Sequence, residues 1–189
     1  DPAVSIISIS DPMCTGSSDG TATASGPGGT GTLDYSWSPS GGSASIATGL
    51  SGGTAYTVTV TDDNGCTATN SVTLTDPTLL TVSITSIDPT CTGFSDGDAT
   101  ALGAGGTAPL SYSWLPTGGS GTTASGLTAG IEYLVTVTDS NSCTATDSVT
   151  LSDPPVISFT TTAVDATCFG VCDGEVSWTA SGGTGIITS

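Results

Sequence analysis

Basic side chains are absent from this sequence. Its 189 residues include no lysine, arginine or histidine, whereas aspartate and glutamate together number 17, so the formal charge at pH 7 is -17. Nucleic acids and anionic membrane surfaces are bound through Lys and Arg side chains that neutralise phosphate groups. We therefore expect neither nucleic acid nor an anionic membrane surface among the partners of the chain.

Long apolar segments are also absent. No apolar run approaches the roughly 18 residues of a membrane-spanning helix, and no basic segment followed by an apolar one opens the sequence. We expect no membrane insertion. Even so, 35% of the residues are hydrophobic and the mean hydropathy is +0.21, which is enough apolar material for a folded core.

The missing residue types also limit catalysis. Without His or Lys, general acid–base chemistry would depend on a pair of carboxylates of the glycosidase kind. The acidic residues recur at equivalent places along the chain, so no single pair is distinguished from the others. We predict that the protein is not an enzyme.

Glycine, serine and threonine are abundant. There are 27 glycines, and Ser and Thr make up roughly a third of the chain, a composition that favours strands and turns over helices. Six cysteines occur without histidine and without paired Cys-x-x-Cys motifs, which fits disulfide bonds in an oxidising compartment better than zinc binding. The sequence thus predicts an extracellular protein.

A repeat of about 77 residues organises the chain. Residues of the same type recur at this offset: Cys14, Cys91 and Cys168; Trp37 and Trp114; Cys66 and Cys143; Asp19, Asp96 and Asp173. Asp-Pro pairs mark the seams, because proline cannot donate to a β-ladder and tends to end a strand. The predicted domains are residues 1–76 and 77–153, two complete repeats, and residues 154–189, a partial third repeat with only its first strands.

Apolar residues alternate with polar ones inside each repeat. The run Leu33, Tyr35 and Trp37 has this period of two, and both complete repeats carry several such runs. Short strands separated by Gly-rich turns predict an all-β protein of tandem immunoglobulin-like antiparallel β-sandwich domains, each about 77 residues long. Six or seven strands per repeat both fit the pattern.

The cysteines suggest one disulfide bond in each complete repeat. This expectation follows from the order Cys, Trp, Cys within a repeat and from the shared offset. The predicted pairs are Cys14 with Cys66 and Cys91 with Cys143. Cys168 has no counterpart at the next position of the repeat, and Cys172 is additional, so both are predicted to be unpaired within this chain or paired outside it.

Aspartates recur in the predicted turns. Carboxylates on loops without cationic neighbours are ligands that calcium prefers, whereas aspartate also favours turns through hydrogen bonds to its own backbone. The spacing is not that of an EF-hand, so turn chemistry is the interpretation we favour, with calcium as the one candidate cofactor. The candidate calcium ligands are Asp19, Asp62, Asp96 and Asp139.

The tryptophans allow two interpretations. Trp37 and Trp114 alternate with serine on predicted central strands, where aromatic side chains usually form the core of a sandwich. In the alternative, they stack on sugars. Burial of both side chains would favour a structural stalk, and exposure in a groove would favour glycan binding.

Several motifs occur in the same order in both complete repeats. "CTGSSDG", "GGTGTLDYSW" and "TGLSGGTAYTVTVTDDNGCTAT" in the first correspond to "CTGFSDG", "LSYSW" and "GLTAGIEYLVTVTDSNSCTAT" in the second. Together they resemble the SprB-type repeat of Bacteroidota cell-surface gliding and adhesion proteins. The resemblance implies a long, secreted, repetitive filament at a bacterial surface. Ser142 departs from the family pattern, which has Gly before the second cysteine.

The resemblance also implies a form of glycosylation. The O-glycan signal of Bacteroidota is Asp, then Ser or Thr, then an aliphatic residue, and Asp147, Ser148 and Val149 fit this order. Ser148 is therefore a candidate O-glycan acceptor.

These observations favour a non-enzymatic structural protein of an extracellular bacterial filament or surface stalk built from tandem Ig-like repeats. The alternative is an adhesin whose repeats bind glycans directly. The expected partners are further copies, through self-association into fibres, or further repeats in a continuing polypeptide. Glycans are the expected partners in the alternative.

Overall fold

The computed structural model describes residues 1–170 and 172–184. Over these residues the chain forms fourteen β-strands and no helix, so the predicted all-β class is confirmed. The strands are β1 (Ser5–Ser10), β2 (Gly20–Ser25), β3 (Leu33–Ser38), β4 (Ile46–Leu50), β5 (Ala55–Asp62), β6 (Thr67–Thr73), β7 (Thr81–Ile87), β8 (Gly97–Ala104), β9 (Ser111–Leu115), β10 (Thr123–Leu127), β11 (Glu132–Thr138), β12 (Thr144–Thr150), β13 (Ser158–Val164) and β14 (Glu175–Ser181).

The first six strands form a sandwich of two three-stranded antiparallel sheets, with strand orders β1-β2-β4 and β3-β5-β6. The first repeat thus has six strands, which decides between the two numbers that the sequence left open. Along β5, Tyr56, Val58 and Val60 are buried and the threonines between them are half-buried, as the period of two predicts. Both sheets contribute to one core: Ala22, Ala24, Trp37, Ala47, Leu50, Tyr56, Val58, Val60 and Leu74.

The next six strands follow the same pattern. They form two three-stranded sheets with strand orders β10-β8-β7 and β12-β11-β9. Tyr133, Val135 and Val137 of β11 are buried at every second position, and Trp114 of β9 is buried like Trp37 of β3. The predicted immunoglobulin-like β-sandwich class is therefore confirmed.

Gly20 shows why a glycine follows Asp19. A Cβ atom at this position would lie 2.5 Å from Leu74 Cδ2 and 2.7 Å from Leu50 O, so β2 begins where only a glycine fits under the core. Gly97 occupies the equivalent place in the second repeat, beside the side chain of Leu151. Packing therefore requires the glycine in both of these Asp-Gly pairs, and the aspartate belongs to the turn before it.

The last two strands, β13 and β14, pair with each other as a two-stranded antiparallel sheet. Phe159, Val176 and Trp178 lie on one face of this sheet and are 68%, 75% and 47% exposed. Residues 171 and 185–189 of the predicted third repeat lie outside the described residues.

The chain divides into two compact units. The first contains residues 1–82, 103–111 and 137–145, and the second contains residues 83–102, 112–136 and 146–189. The domain boundaries predicted from the Asp-Pro seams stay a prediction. The part of the chain that the structure describes contains no helix with the length and hydropathy of a membrane span.

Candidate functional site

One disulfide bond joins two loops that lie far apart in the sequence. Cys14 lies between β1 and β2, and Cys143 lies between β11 and β12, at a sequence separation of 129. Their Cα atoms are 5.7 Å apart, which is typical of protein disulfides. The first cysteine of the first repeat is thus bonded to the second cysteine of the second repeat.

The predicted pairing of cysteines within each repeat is wrong. Neither Cys14 with Cys66 nor Cys91 with Cys143 is formed, because Cys14 and Cys143 are bonded to each other. Cys66 and Cys91 are free and exposed. The other free and exposed cysteines of the described residues are Cys168 and Cys172.

Strand direction explains this error. The hairpin that carries Cys66 lies at the end of the first repeat where β1 begins, because a Cβ atom on Gly29 would lie 3.1 Å from Asp62 Cβ and 3.4 Å from Pro2 Cβ. Cys14 follows the opposite end of β1. A six-residue strand is about 20 Å long, whereas a disulfide needs Cα atoms within about 7 Å. The two cysteines of one repeat are therefore too far apart to bond.

A buried aspartate organises the hairpin around each second cysteine. Asp139 Oδ1 accepts the backbone N–H groups of Asn141 at 2.9 Å and Cys143 at 2.8 Å, and Oδ2 accepts that of Thr107 at 2.8 Å. The first repeat has the same three bonds, from Asn64, Cys66 and Thr30 to Asp62. These carboxylates thus fix the backbone that presents the cysteine.

These hydrogen bonds make both hairpin carboxylates more acidic than an ordinary aspartate. The N–H of Thr107 lowers the pKa of Asp139, and the N–H of Thr30 lowers the pKa of Asp62. Burial acts in the opposite direction on both pKa values, but the cysteine N–H groups add to the lowering. The folded hairpin therefore favours the ionised form.

We expect Asp62→Asn to destabilise the first repeat at neutral pH and to have little effect in strong acid. The folded pKa of Asp62 is below the ordinary value of 3.8, so its carboxylate stabilises the fold above that pH. This contribution is lost as the pH falls through the lowered folded pKa. An asparagine would also point an N–H₂ donor at the N–H of Thr30.

Urea denaturation at pH 7 and at pH 2 tests this expectation. Asp34→Asn is the matched control, because Asp34 is an exposed carboxylate on β3 of the same repeat. An Asp62→Asn protein as stable as wild type at pH 7 would contradict the role given to the hairpin carboxylate.

The other recurrent aspartates fold the loops that carry each first cysteine. Asp19 accepts hydrogen bonds from the hydroxyl of Ser17 and the N–H of Met13, and these bonds lower its pKa. Asp96 accepts both bonds from Thr90, and Asp173 accepts both from Thr167. Turn chemistry therefore occupies the candidate calcium ligands, Asp19, Asp62, Asp96 and Asp139. Among the described residues, no three His, Cys, Asp or Glu side chains form a cluster that would hold a metal ion.

Hydrogen bonds accompany the disulfide. Asn141 Nδ2 donates to Met13 O at 3.1 Å, and Thr15 Oγ1 donates to Pro77 O at 2.8 Å. The sequence alone indicates no role for Asn141 or Thr15. The available signal was their recurrence at the offset of the repeat, as Asn64 and Thr92.

The remaining candidate residues lie on the strands. Trp37 and Trp114 are 5% and 3% exposed, and their indole N–H groups donate to Ala44 O and Gly121 O, each at 3.0 Å. Both side chains belong to the interior and are not available to stack on a sugar. Ser148 is exposed on β12, where its hydroxyl is accessible, and its glycosylation stays a prediction.

One protein-family model matches a segment of the first repeat. Residues 6–42 match the SprB repeat family model, which confirms the SprB-type resemblance for that segment and indicates a non-enzymatic repeat domain of cell-surface proteins. No match was found among curated protein sequences.

A solved structure from work on the structural basis for Dscam isoform specificity aligns with this chain at 15% identity and a TM-score of 0.33. The alignment covers 78% of this chain and 46% of that chain, so this chain spans less than half of the Dscam chain. A likeness this low supports no inference about function.

Proposed function

We propose that this chain is a non-enzymatic structural segment of an extracellular bacterial filament or surface stalk. Tandem Ig-like repeats supply its length, and the residues that recur in every repeat hold loops and seams. Because the same residues occur in each repeat, we assign them a structural role and not a role in a single reactive cleft.

The recurrence of the seam is the observation that carries this proposal. Thr15 Oγ1 donates to Pro77 O at 2.8 Å, and Thr92 Oγ1 donates to Pro154 O at 2.9 Å. Backbone N–H groups in the same two loops also donate to the seam aspartates, Gly16 to Asp76 and Gly93 to Asp153. A structure that lengthens by adding equal units needs the same contacts at every seam.

The buried tryptophans support a structural role over direct glycan binding. An adhesin that binds sugars by stacking needs exposed aromatic faces, whereas Trp37 and Trp114 are buried and hydrogen-bonded in the interior. Their bulk contributes to the core of each repeat.

Self-association into fibres is the partner interaction that we propose. The exposed face of β13 and β14 carries Phe159, Val176 and Trp178, and a two-stranded sheet with such a face is marginal in water. Covering this face with protein removes apolar surface from water. A neighbouring copy or a further repeat would provide that cover.

The proposal is tested by measuring association under different ionic conditions. The chain carries a formal charge of -17 without a cationic side chain, so its copies repel one another. Lowering the pH toward about 4, or adding a divalent cation at millimolar concentration, is expected to promote association because repulsion falls. Light scattering and electron microscopy measure fibre formation.

Sodium chloride at matched ionic strength separates general screening from a specific effect of calcium. Scattering that responds to none of these conditions would argue against fibres formed by this chain. Saturable binding to a defined glycan without association would favour the adhesin.

A further inference from the structure

Cys66 and Cys91 are the internal counterparts of the two bonded cysteines. In the repeat, Cys91 of the second unit corresponds to Cys14 of the first, and Cys66 of the first corresponds to Cys143 of the second. Both thiols are free and exposed, whereas their counterparts share the disulfide. Cys66 is thus a free hairpin cysteine, and Cys91 is a free loop cysteine of a complete repeat, as Cys168 is of the partial third repeat.

The hairpin of Cys66 already has the backbone arrangement of the bonded hairpin. The N–H of Cys66 donates to Asp62 Oδ1 at 2.8 Å, and the N–H of Cys143 donates to Asp139 Oδ1 at the same distance. The hairpin therefore presents Cys66 without a change of fold.

The loop of Cys91 likewise matches the loop of Cys14. Inside the loop, the N–H of Ser17 donates to Cys14 O at 3.0 Å, and the N–H of Phe94 donates to Cys91 O at 3.1 Å. At the seam, Thr15 Oγ1 donates to Pro77 O at 2.8 Å, and Thr92 Oγ1 donates to Pro154 O at 2.9 Å. Cys14 is bonded while Thr15 holds the seam, so the equivalent contact of Thr92 does not prevent a bond at Cys91.

We propose that Cys91 of one copy of this chain forms an intermolecular disulfide with Cys66 of a second copy. Each chain then offers Cys66 in a hairpin and Cys91 in the loop of a complete repeat, so copies link head to tail. Such a heterologous linkage extends without closing unless the rotation between copies forms a ring. The biological use of this linkage rests on the proposed filament function, whereas the bond itself can be tested separately.

A neighbouring amide favours the pairing of loop with hairpin. Beside the existing bond, Asn141 Nδ2 of the hairpin donates to Met13 O of the loop at 3.1 Å. Asn64 and Thr90 occupy the equivalent positions beside Cys66 and Cys91. A bond between two loop cysteines would lack the asparagine amide donor, and a bond between two hairpin cysteines would lack the loop carbonyl that accepts it. Only the bond between a loop cysteine and a hairpin cysteine gains this hydrogen bond.

Oxidised glutathione, a low-molecular-weight disulfide, is the oxidant that accepts the two electrons lost when the protein disulfide forms. The Cys91 thiolate attacks one of its sulfurs, which forms a mixed disulfide and releases one glutathione thiolate. The Cys66 thiolate of the second copy attacks the Cys91 sulfur and releases the second glutathione. The protein disulfide forms, glutathione disulfide is reduced by two electrons, and the two cysteine protons end on the two released thiols.

Two complementary variants test the proposal in the full chain. Cys66→Ser keeps the loop cysteine and Cys91→Ser keeps the hairpin cysteine, each with Cys168→Ser and Cys172→Ser to remove the other free thiols. The variants carry different tags and are incubated with oxidised glutathione at pH 8 in enough salt to screen their charge. Non-reducing electrophoresis and mass spectrometry of chymotryptic peptides identify the products, since trypsin has no Lys or Arg to cleave.

Mixing the variants is expected to give a covalent heterodimer linked through Cys91 and Cys66, and each variant alone is expected to stay monomeric. Adding Asn64→Ala to the Cys91→Ser chain should slow heterodimer formation about fivefold, the effect of losing one hydrogen bond. Intact Cys14–Cys143 peptides show that each variant has folded.

Homodimers of either variant as the main product would overturn the proposal, as would the absence of covalent dimers. Peptide mapping of the oxidised wild-type chain is a second measurement that needs no substitution, and a Cys66–Cys91 linked peptide is its expected result. A heterodimer whose chains form no fibres under any ionic condition would support the bond and count against the filament function.

Discussion

Replacing Trp37 with Ala is expected to lower the free energy of unfolding of the first repeat by about 3 to 5 kcal/mol. Trp37 is 5% exposed, and its indole N–H donates to Ala44 O at 3.0 Å. The chain also passes close to it, since a Cβ atom on Gly41 would lie 2.9 Å from Trp37 Cβ. The substitution therefore leaves a cavity between the two sheets and removes the hydrogen bond to Ala44.

This loss is a large fraction of the stability of a small domain, which is typically about 5 to 15 kcal/mol in total. Trp37→Phe should lose less, because the ring still fills most of the space while the N–H donor is gone. Ser36→Ala is the matched control, since Ser36 is exposed on the opposite face of β3 and should change stability by less than about 0.5 kcal/mol. Urea denaturation followed by circular dichroism measures all three.

A loss below about 1 kcal/mol for Trp37→Ala would contradict a core role, because buried aromatic side chains do not cost so little to remove. The same experiment bears on the adhesin alternative. If Trp37 stacked on a sugar, its removal would abolish glycan binding while leaving the repeat folded.

Local patterns were sufficient to predict the strands and the core. The alternation around Tyr56, Val58 and Val60 depends on the two-residue period of a strand, which does not change with tertiary context. The burial of Trp37 follows from the same rule. The interpretation of the recurrent aspartates as turn residues also rests on local chemistry, because Asp62 bonds to N–H groups of residues two and four positions ahead.

The cysteine pairing could not be predicted in this way. The offset of the repeat shows which cysteines are equivalent, but it does not show at which end of a repeat each cysteine lies. That depends on the direction of every preceding strand, and the sequence allowed either six or seven strands. In the structure β4 ends beside the start of β2, and β5 ends beside the start of β3, so the successive strands β3 and β4 run in the same direction and Cys14 and Cys66 lie at opposite ends of the first repeat. The packing that requires Gly20 was hidden for the same reason, because Leu74 lies near the other end of the repeat in the sequence.

The second large effect is expected on breaking the disulfide. Cys14→Ser should destabilise the chain by about 5 kcal/mol in the chain-entropy model, because the bond joins residues at a sequence separation of 129 in the unfolded state. Cys168→Ser is the control, since this cysteine is free and exposed and its removal should leave stability unchanged. Chemical denaturation with and without reductant compares the two variants with wild type.

The bond should have an even clearer effect under mechanical load. With Cys14 and Cys143 joined, force applied at the chain ends passes through the disulfide, and the segment between them cannot extend even when both repeats unfold. Reduction, or Cys14→Ser, should release an additional contour length of about 450 Å, since an extended residue spans at most about 3.5 Å. Single-molecule force spectroscopy resolves a step of this size.

Equal contour lengths for wild type and Cys14→Ser would show that the bond does not form. A releasable length of about 180 Å, that of the segment from Cys14 to Cys66, would instead indicate a bond within one repeat. For a surface stalk the difference matters. Bonds within single repeats would let the seam extend once its hydrogen bonds break, whereas the bond between Cys14 and Cys143 bypasses the seam, so the linked segment keeps its length when its folds fail.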